Sequence, residues 1–154
     1  MCGIAGIWNT RRPGGMTDLL AGMGAALRHR GPDADGVWED SPAGLGLVHR
    51  RLSILDLSPA GAQPMKSPTT GACIVFNGEI YNFQQLVPEL EALGHIFRTH
   101  SDTEVIVHAW EAWGEACVAR FRGMFAFALW DRKQQTLFVV RDRFGVKPLY
   151  YAFL

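Results

Sequence analysis

A cysteine stands directly after the initiating methionine, and its position is the first in the chain to suggest chemistry. Excision of Met1 would leave Cys2 with a free α-amine beside its thiol. Ordinary α-amines and thiols have pKa values of about 8 and 8.5, so such a pair can exchange a proton near neutral pH. A nucleophile that carries its own general base needs no histidine partner. The position therefore indicates a nucleophilic cysteine, although any residue can follow Met1 without a function.

An asparagine and a glycine, Asn77 and Gly78, interrupt an apolar segment in the middle of the chain. Apolar residues run from Cys73 to Phe76 before the pair, and Glu79-Ile80-Tyr81 follows it. An Asn-Gly pair between two such segments predicts a β-hairpin with a type I′ turn, because both central residues of that turn need positive φ. A plain hairpin turn explains this pair without any function.

Three helices are predicted around these residues from the spacing of apolar side chains. The first covers residues 17–27, with Thr17 as its N-cap. A second helix over 83–93 and a third after the capping box at Ser101–Glu104 each end at a glycine. The third helix would place Asp102 in its first turn.

Strands are predicted where the apolar residues are continuous or extended. One strand covers Ile4–Trp8, and an extended segment over 45–55 contains Arg50 and Arg51, which should lie on opposite faces. Residues 124–130 and 137–140 are apolar throughout, which is typical of strands covered on both faces. Their short connection permits only an antiparallel pair. We therefore predict an α+β fold, a four-layer α/β/β/α sandwich of two antiparallel sheets between helices.

The composition excludes several classes of protein. The chain has 154 residues, with 15 Lys and Arg against 15 Asp and Glu, 48% hydrophobic and 19% charged residues. These values predict one ordered domain and argue against a nucleic-acid partner. No apolar run is long enough to cross a bilayer, so no membrane partner is expected. The cysteines are three, far apart and without a C-x-x-C pair, which favours a reducing, cytoplasmic location. None of the five histidines has metal-ligand spacing, so no metal site is predicted.

Seven motifs, in order along nearly the whole chain, carry a family resemblance. The chain resembles the class II glutamine amidotransferases, which belong to the N-terminal nucleophile hydrolases, and is most similar to the glutaminase domain of the asparagine synthetase family. The matching segments are MCGIAG at 1–6, RHRGPD at 28–33, RRLSILD at 50–56, FNGEIYN at 76–82, SDTE at 101–104, GMFAFALWD at 123–131 and RDRFGVKPLYY at 141–151.

The resemblance implies a role for each candidate residue. Cys2 would be the nucleophile that forms a γ-glutamyl thioester and releases ammonia, and Asn77 and Gly78 would form the oxyanion hole. In that role Gly78, which lacks a Cβ, would let the substrate approach its backbone closely. Arg51 would grip the α-carboxylate of glutamine through a bidentate guanidinium.

Two acids complete the implied substrate site. Asp102 would pair with the α-ammonium of glutamine, with Glu79 as a second carboxylate nearby. Each of the three binding residues also has a purely structural explanation. Arg51 could be a surface arginine of a strand, Glu79 an exposed strand residue, and Asp102 an acid favoured by the helix dipole.

The function that the resemblance implies is hydrolysis of L-glutamine to glutamate and ammonia, as the ammonia-supplying half of asparagine synthesis. Residues 1–154 would form the glutaminase domain, cut short at its C-terminal end. The chain contains no S-G-G-x-D-S pyrophosphate loop. The synthetase domain, with its ATP and magnesium, is therefore expected outside this chain, and the glutaminase domain itself should need no cofactor. The predicted partners are glutamine, the synthetase domain and a second copy in a homodimer.

Two alternatives stay open at this point. One is the glutaminase domain of another class II amidotransferase, with a different ammonia acceptor. The other is a catalytically silent module of the same fold that binds glutamine or a partner without turnover. The joint presence of Cys2, Arg51, Asn77, Gly78 and Asp102 argues against the silent module, because such a module could lose any of them at no cost.

Overall fold

The longest apolar runs of the sequence form the middle of a four-stranded antiparallel sheet. The computed structural model describes residues 1–9, 15–52 and 61–153. The strands are β1 Gly3–Trp8, β2 Ala34–Asp40, β3 Leu45–Arg51, β4 Met65–Lys66, β5 Cys73–Ile80, β6 Gly123–Asp131 and β7 Thr136–Arg141. The helices are α1 Thr17–Ala26, α2 Phe83–Ala92, α3 Asp102–Trp113 and the short α4 Cys117–Arg120.

The strands form two separate antiparallel sheets. The larger sheet has the order β4-β5-β6-β7, and the smaller has the order β1-β3-β2. In the larger sheet Gly78 of β5 lies opposite Phe125 of β6. In the smaller sheet Gly3 of β1 lies opposite Arg50 of β3, so the N-terminus runs beside the end of β3.

Three apolar clusters separate the layers. Met16, Leu20 and Val48 fill the space between α1 and the smaller sheet. Leu45, Leu47, Cys73, Val75 and Trp130 lie between the two sheets. A larger cluster joins β5, β6 and β7 to α2, α3 and α4. The predicted α/β/β/α sandwich is confirmed, and the continuous apolar runs are explained, because β5 and β6 are covered on both faces.

The helices begin and end close to the predicted residues, with two differences at their caps. Thr17 is the first residue of α1 rather than its N-cap, and Met16 precedes it without a side-chain cap. At α3 the hydroxyl of Ser101 accepts a hydrogen bond from the N–H of Thr103, the second helical residue, rather than from the N–H of Glu104 that a capping box uses. The carboxylate of Glu104 instead accepts from the backbone N–H groups of Arg98 and Thr99, so it anchors the segment before the helix.

The hairpin turn predicted at Asn77-Gly78 is wrong. Both residues lie inside β5, which continues unbroken from Cys73 to Ile80. A Cβ at Gly78 would lie 2.3 Å from the carbonyl oxygen of Met124. Glycine is therefore required here by the close approach of β6, rather than by a turn.

Gly78→Ala is expected to destabilise the fold, because the added methyl group meets backbone rather than a movable side chain. The expected loss is about 1–3 kcal/mol in the free energy of unfolding, measured by urea denaturation. Gly22→Ala is the matched control. A Cβ at Gly22, in the middle of α1, would meet nothing within 4 Å, so the control should stabilise the helix by about 0.5–1 kcal/mol. Equal stability of the two variants would contradict the packing explanation.

Some predicted features lie outside the described residues. These are the loop at 11–14, the extended segment beyond residue 52 and the second half of the RRLSILD motif. Within the described residues, no helix is long and apolar enough to span a membrane.

Candidate active site

A cleft of about 160 Å³ opens where the two sheets meet beside the N-terminus. It is lined by all six candidate residues predicted from the sequence, which come from the segment before β1 and from β3, β5 and α3: Cys2, Arg51, Asn77, Gly78, Glu79 and Asp102. These residues are up to 100 positions apart in the sequence. Their convergence on one cleft is the main functional observation.

Cys2 is half-buried and held at the end of β3. Its Sγ lies 3.4 Å from the backbone N–H of Leu52, which donates to it, and 3.7 Å from the Leu52 carbonyl oxygen. The Arg30 guanidinium donates to the carbonyl oxygen of Cys2 at 3.1 Å. These contacts fix the first residues of the chain, so the thiol faces the cleft in a defined position.

One edge of β5 supplies the hydrogen-bond donors of the site. The N–H of Phe76 donates to Gln63 Oε1 at 2.6 Å, and the N–H of Ile80 donates to Asp102 Oδ2 at 2.9 Å. Both N–H groups point away from β6. Because alternate residues of a strand direct their N–H groups to the same side, the N–H of Gly78 also points toward this edge. The side-chain amide of Asn77, which is buried, lies beside it in the cleft.

Arg51 and Arg50 lie on opposite faces of β3, as predicted. Arg51 lines the cleft. Arg50 instead donates to the carbonyl oxygen of Gly24 in α1 at 2.8 Å and forms an ion pair with Asp35. The alternation of side chains along a strand therefore separates a structural arginine from one that a ligand can reach.

Asp102 is the buried acid of the cleft, with 5% of its surface exposed. Burial raises the pKa of its carboxyl to about 6, against hydrogen bonds from Ile80 and other backbone groups that lower it, and the nearby Glu79 raises it further. Loss of the proton leaves a buried negative charge near a second carboxylate. Such a pair attracts a cationic group, and the α-ammonium of an amino acid is one.

The specificity constant kcat/KM for glutamine is expected to rise with pH through about 6, because Asp102 must lose its proton to pair with an ammonium group. Below that value kcat/KM should fall about tenfold per pH unit, as for one essential ionisation. Asp102→Asn should lower kcat/KM and remove this acid limb. Asp35→Asn, which changes an exposed acid, is the control variant and should keep the acid limb of the pH profile. An unchanged limb in Asp102→Asn would contradict the assignment.

The free energy of unfolding should also depend on the ionisation of Asp102, but this contribution should fall as the pH rises, whereas kcat/KM rises. The native state holds the Asp102 proton up to about pH 6, so its stabilising contribution is lost as the pH rises through that value. Burial lowers the pKa of His49 to about 4, so His49 instead makes the fold more stable as the pH rises from about 4 to 6.5. The free energy of unfolding is measured as a function of pH for the parent and for Asp102→Asn. The difference between the two curves gives the contribution of Asp102, and the pH dependence that remains in the variant includes that of His49.

Three residues of the cleft were missed in the sequence: His49, Gln63 and Lys147. His49 and Arg51 are two positions apart in β3, so strand alternation could have placed them on one face. Gln63 joins Phe76 to Thr103 through its two amide atoms. Lys147 is buried, and its ammonium lies 3.0 Å from the sulfur of Met1. Lys147 lies within the RDRFGVKPLYY motif, which carries the resemblance but assigns it no role, whereas Gln63 has no local pattern that separates it from ordinary loop residues.

A second group of polar side chains lies away from the cleft. Ligand atoms of His95, His108 and Glu111 lie within 4.8 Å of one another. The lack of paired histidines at metal-ligand spacing led to the prediction of no metal site. This group instead combines a histidine and a glutamate three positions apart on α3 with a histidine from the preceding loop.

Comparison with known proteins places this fold and site in context. A family model for the glutamine amidotransferase domain matches residues 1–154. Asparagine synthetase [glutamine-hydrolyzing] 1 of Bacillus subtilis is 43% identical over 99% of this chain, which corresponds to 24% of that protein. Amidase chry2 of Gibberella zeae is 42% identical over 82% of this chain and 19% of its own length. The chain thus spans about a quarter or less of these relatives.

A solved structure supports the fold independently. Glutamine phosphoribosylpyrophosphate amidotransferase from B. subtilis, complexed with ADP and GMP, superposes with a TM-score of 0.72 at 23% identity. The match covers 94% of this chain and 38% of that one. At this identity the likeness concerns the fold alone. The sequence match over all 154 residues and the shared two-sheet fold together show that this chain belongs to the glutamine amidotransferase domain family.

Proposed function

We propose that this domain hydrolyses L-glutamine to glutamate and ammonia, with Cys2 as the nucleophile. The observation that carries the proposal is the single cleft in which a thiol, an arginine, two acids and two amide donors converge. The arginine matches a carboxylate, the acids match an ammonium group, and the donors match an oxyanion. A free amino acid with a side-chain amide presents all three to one site.

Cys2 begins the reaction once Met1 has been removed. The α-amine takes the thiol proton, and Sγ attacks the side-chain amide carbon of glutamine. The carbonyl oxygen becomes an oxyanion that accepts hydrogen bonds from the Asn77 amide and the Gly78 N–H, at the edge of β5. The α-ammonium group of Cys2 then gives this proton to the side-chain nitrogen of glutamine, the C–N bond breaks, and ammonia departs. Water then attacks the γ-glutamyl thioester, and glutamate and the free thiol result.

Arg51, Asp102 and Glu79 hold the amino-acid end of the substrate. The guanidinium of Arg51 pairs with the α-carboxylate, and the two acids face the α-ammonium. Because Asp102 also accepts the Ile80 N–H, its ionised carboxylate is held against β5 and keeps one oxygen for the substrate. Arg51 offers a positive charge to the α-carboxylate and the two acids offer negative charge to the α-ammonium, so the site is complementary in sign to a zwitterion.

In the whole protein, we expect the released ammonia to pass to a synthetase domain that activates aspartate with ATP and magnesium. The 43% identity to an asparagine synthetase favours this acceptor. The 42% identity to a protein named an amidase keeps a different acceptor open. We expect the domain to act in the cytoplasm, where the free thiols of Cys2, Cys73 and Cys117 stay reduced. The homodimer stays a prediction.

The test is a glutaminase assay on the protein at its natural length, with the N-terminus verified by mass spectrometry. Protein that begins at Cys2 should release ammonia and glutamate in equal amounts. Protein that retains Met1 should be inactive, because Met1 removes the free amine beside the thiol. Glutamine binding without ammonia release by protein that begins at Cys2 would favour the silent module and refute the proposal.

A further inference from the structure

We propose that His95, His108 and Glu111 bind one divalent transition-metal ion of the zinc class. The three side chains meet on the far part of α3, where the loop after α2 packs against it. His108 and Glu111 are three positions apart on one face of α3, and His95 comes from that loop. Two imidazole nitrogens and one carboxylate oxygen are a donor set that zinc prefers.

The distances between the donor atoms fit such an ion. His95 Nδ1 lies 3.1 Å from His108 Nδ1, His108 Nδ1 lies 3.0 Å from Glu111 Oε2, and His95 Nδ1 lies 3.4 Å from the same oxygen. Zinc binds nitrogen and oxygen at about 2.0–2.2 Å, which gives about 3.3–3.6 Å between two ligands of a tetrahedron. The separation between His95 and Glu111 lies in this range, and the two that involve His108 Nδ1 are about 0.2–0.3 Å shorter, so a small shift of that nitrogen completes one face of the tetrahedron and leaves the fourth position for water.

Hydrogen bonds alone do not satisfy all three of these atoms. A neutral imidazole carries one N–H, which points along one line. If the N–H of His108 donates to Glu111, no lone pair is left on that Nδ1 for His95, although the two nitrogens are only 3.1 Å apart. An ion lying above this face, at the centre of the tetrahedron, accepts a lone pair from all three atoms at once.

The surroundings of Glu111 and His108 support the proposal. Oε1 of Glu111 accepts hydrogen bonds from the hydroxyl groups of Ser67, Thr69 and Thr70, which turns Oε2 toward the histidines. The carboxylate is thus oriented by its outer partners, as in known metal sites.

The other nitrogen of His108 is an independent observation. Nε2 is buried and lacks a hydrogen-bond partner among residues 1–9, 15–52 and 61–153. It faces Glu104 Oε1 at 3.7 Å, just beyond a hydrogen bond. A histidine that binds a metal through Nδ1 carries its proton on Nε2 and commonly donates it to a carboxylate.

The test is a titration with Zn²⁺ alone, followed by competition with a chromophoric chelator. It uses Cys2→Ala protein of natural length, because a free N-terminal cysteine chelates zinc by itself. One equivalent should bind, and His95→Gln in this background should weaken binding by at least about tenfold. Co²⁺ in place of Zn²⁺ should show the visible bands of a four-coordinate site, and His95→Gln should lose them. His29→Gln and His100→Gln, which change exposed histidines, are the matched controls.

A second variant separates loss of metal binding from a folding defect, which a change at the half-buried His95 could cause. Thr70→Val leaves all three ligands in place and removes only one hydroxyl from Glu111, at an exposed position. It should weaken Zn²⁺ binding about tenfold, the lower range for loss of an outer partner. Equal affinity in the Cys2→Ala protein with and without His95→Gln would overturn the proposal, as would the absence of stoichiometric binding. Since Cys2→Ala removes the nucleophile, these outcomes are independent of the proposed glutaminase activity.

Discussion

Cys2→Ala should reduce glutamine-dependent ammonia release by at least about 1,000-fold, because no other thiol among the described residues lines the cleft and could form the thioester. The change removes one sulfur at a half-buried position, so the fold should persist. In the whole protein, synthesis that uses added ammonia should continue at the parent rate, since it bypasses this domain. The measurement is initial rate with glutamine and with ammonium salt as separate nitrogen sources.

The chain offers its own controls for this result. Cys73 and Cys117 are buried, and burial raises the pKa of each thiol to about 12, so neither can replace Cys2 as a thiolate. A limiting amount of iodoacetamide should therefore alkylate Cys2 first and abolish the activity at one label per chain. Glutamine-dependent synthesis that survives Cys2→Ala would show that the nucleophile is assigned wrongly.

Asn77→Ala should lower kcat for glutamine by about 100–1,000-fold, the usual cost of one oxyanion donor. The amide of Asn77 is buried in the cleft next to the inward-facing N–H of Gly78, where water cannot replace it. KM should change little, because the donor acts mainly on charge that develops in the transition state. Steady-state kinetics with glutamine gives both constants.

Asn82→Ala is the matched control for that variant. Asn82 follows β5 in the sequence, but its amide binds the backbone of Arg120 and Arg122 at the surface. Its loss should affect stability alone and leave kcat near the parent value. A fall in kcat of less than about tenfold for Asn77→Ala would remove Asn77 from the oxyanion hole.

The layers of the fold were predictable because they follow from local patterns. The uninterrupted apolar residues of β6 require cover on both faces, and two sheets between helices provide it. The same prediction is wrong for β7, an edge strand in which Val139 is exposed. The error at Asn77-Gly78 has a physical cause. The same dipeptide suits a tight turn or a strand pressed against its neighbour, and only the register with Met124 and Phe125 decides between them.

The site was predictable only in part. Its six residues were identified from motifs, and the fold brings them into one cleft. The contribution of Gln63 depends on a contact with Phe76, thirteen residues away, for which the sequence has no pattern. The His95 cluster was missed for a similar reason, since a loop and a helix face meet there only after α2 and α3 have packed.

The edge of β5 has a consequence for solubility as well as for chemistry. A strand edge with free N–H and C=O groups is a template on which another chain can add a strand. Here side chains occupy that edge: Gln63 and His49 bind the N–H and C=O of Phe76, and Asp102 binds the N–H of Ile80. As far as residues 1–9, 15–52 and 61–153 show, only the short stretch around Gly78 stays open to a ligand. The open part of the edge is therefore long enough for a small molecule to bind but too short for another chain to add a strand.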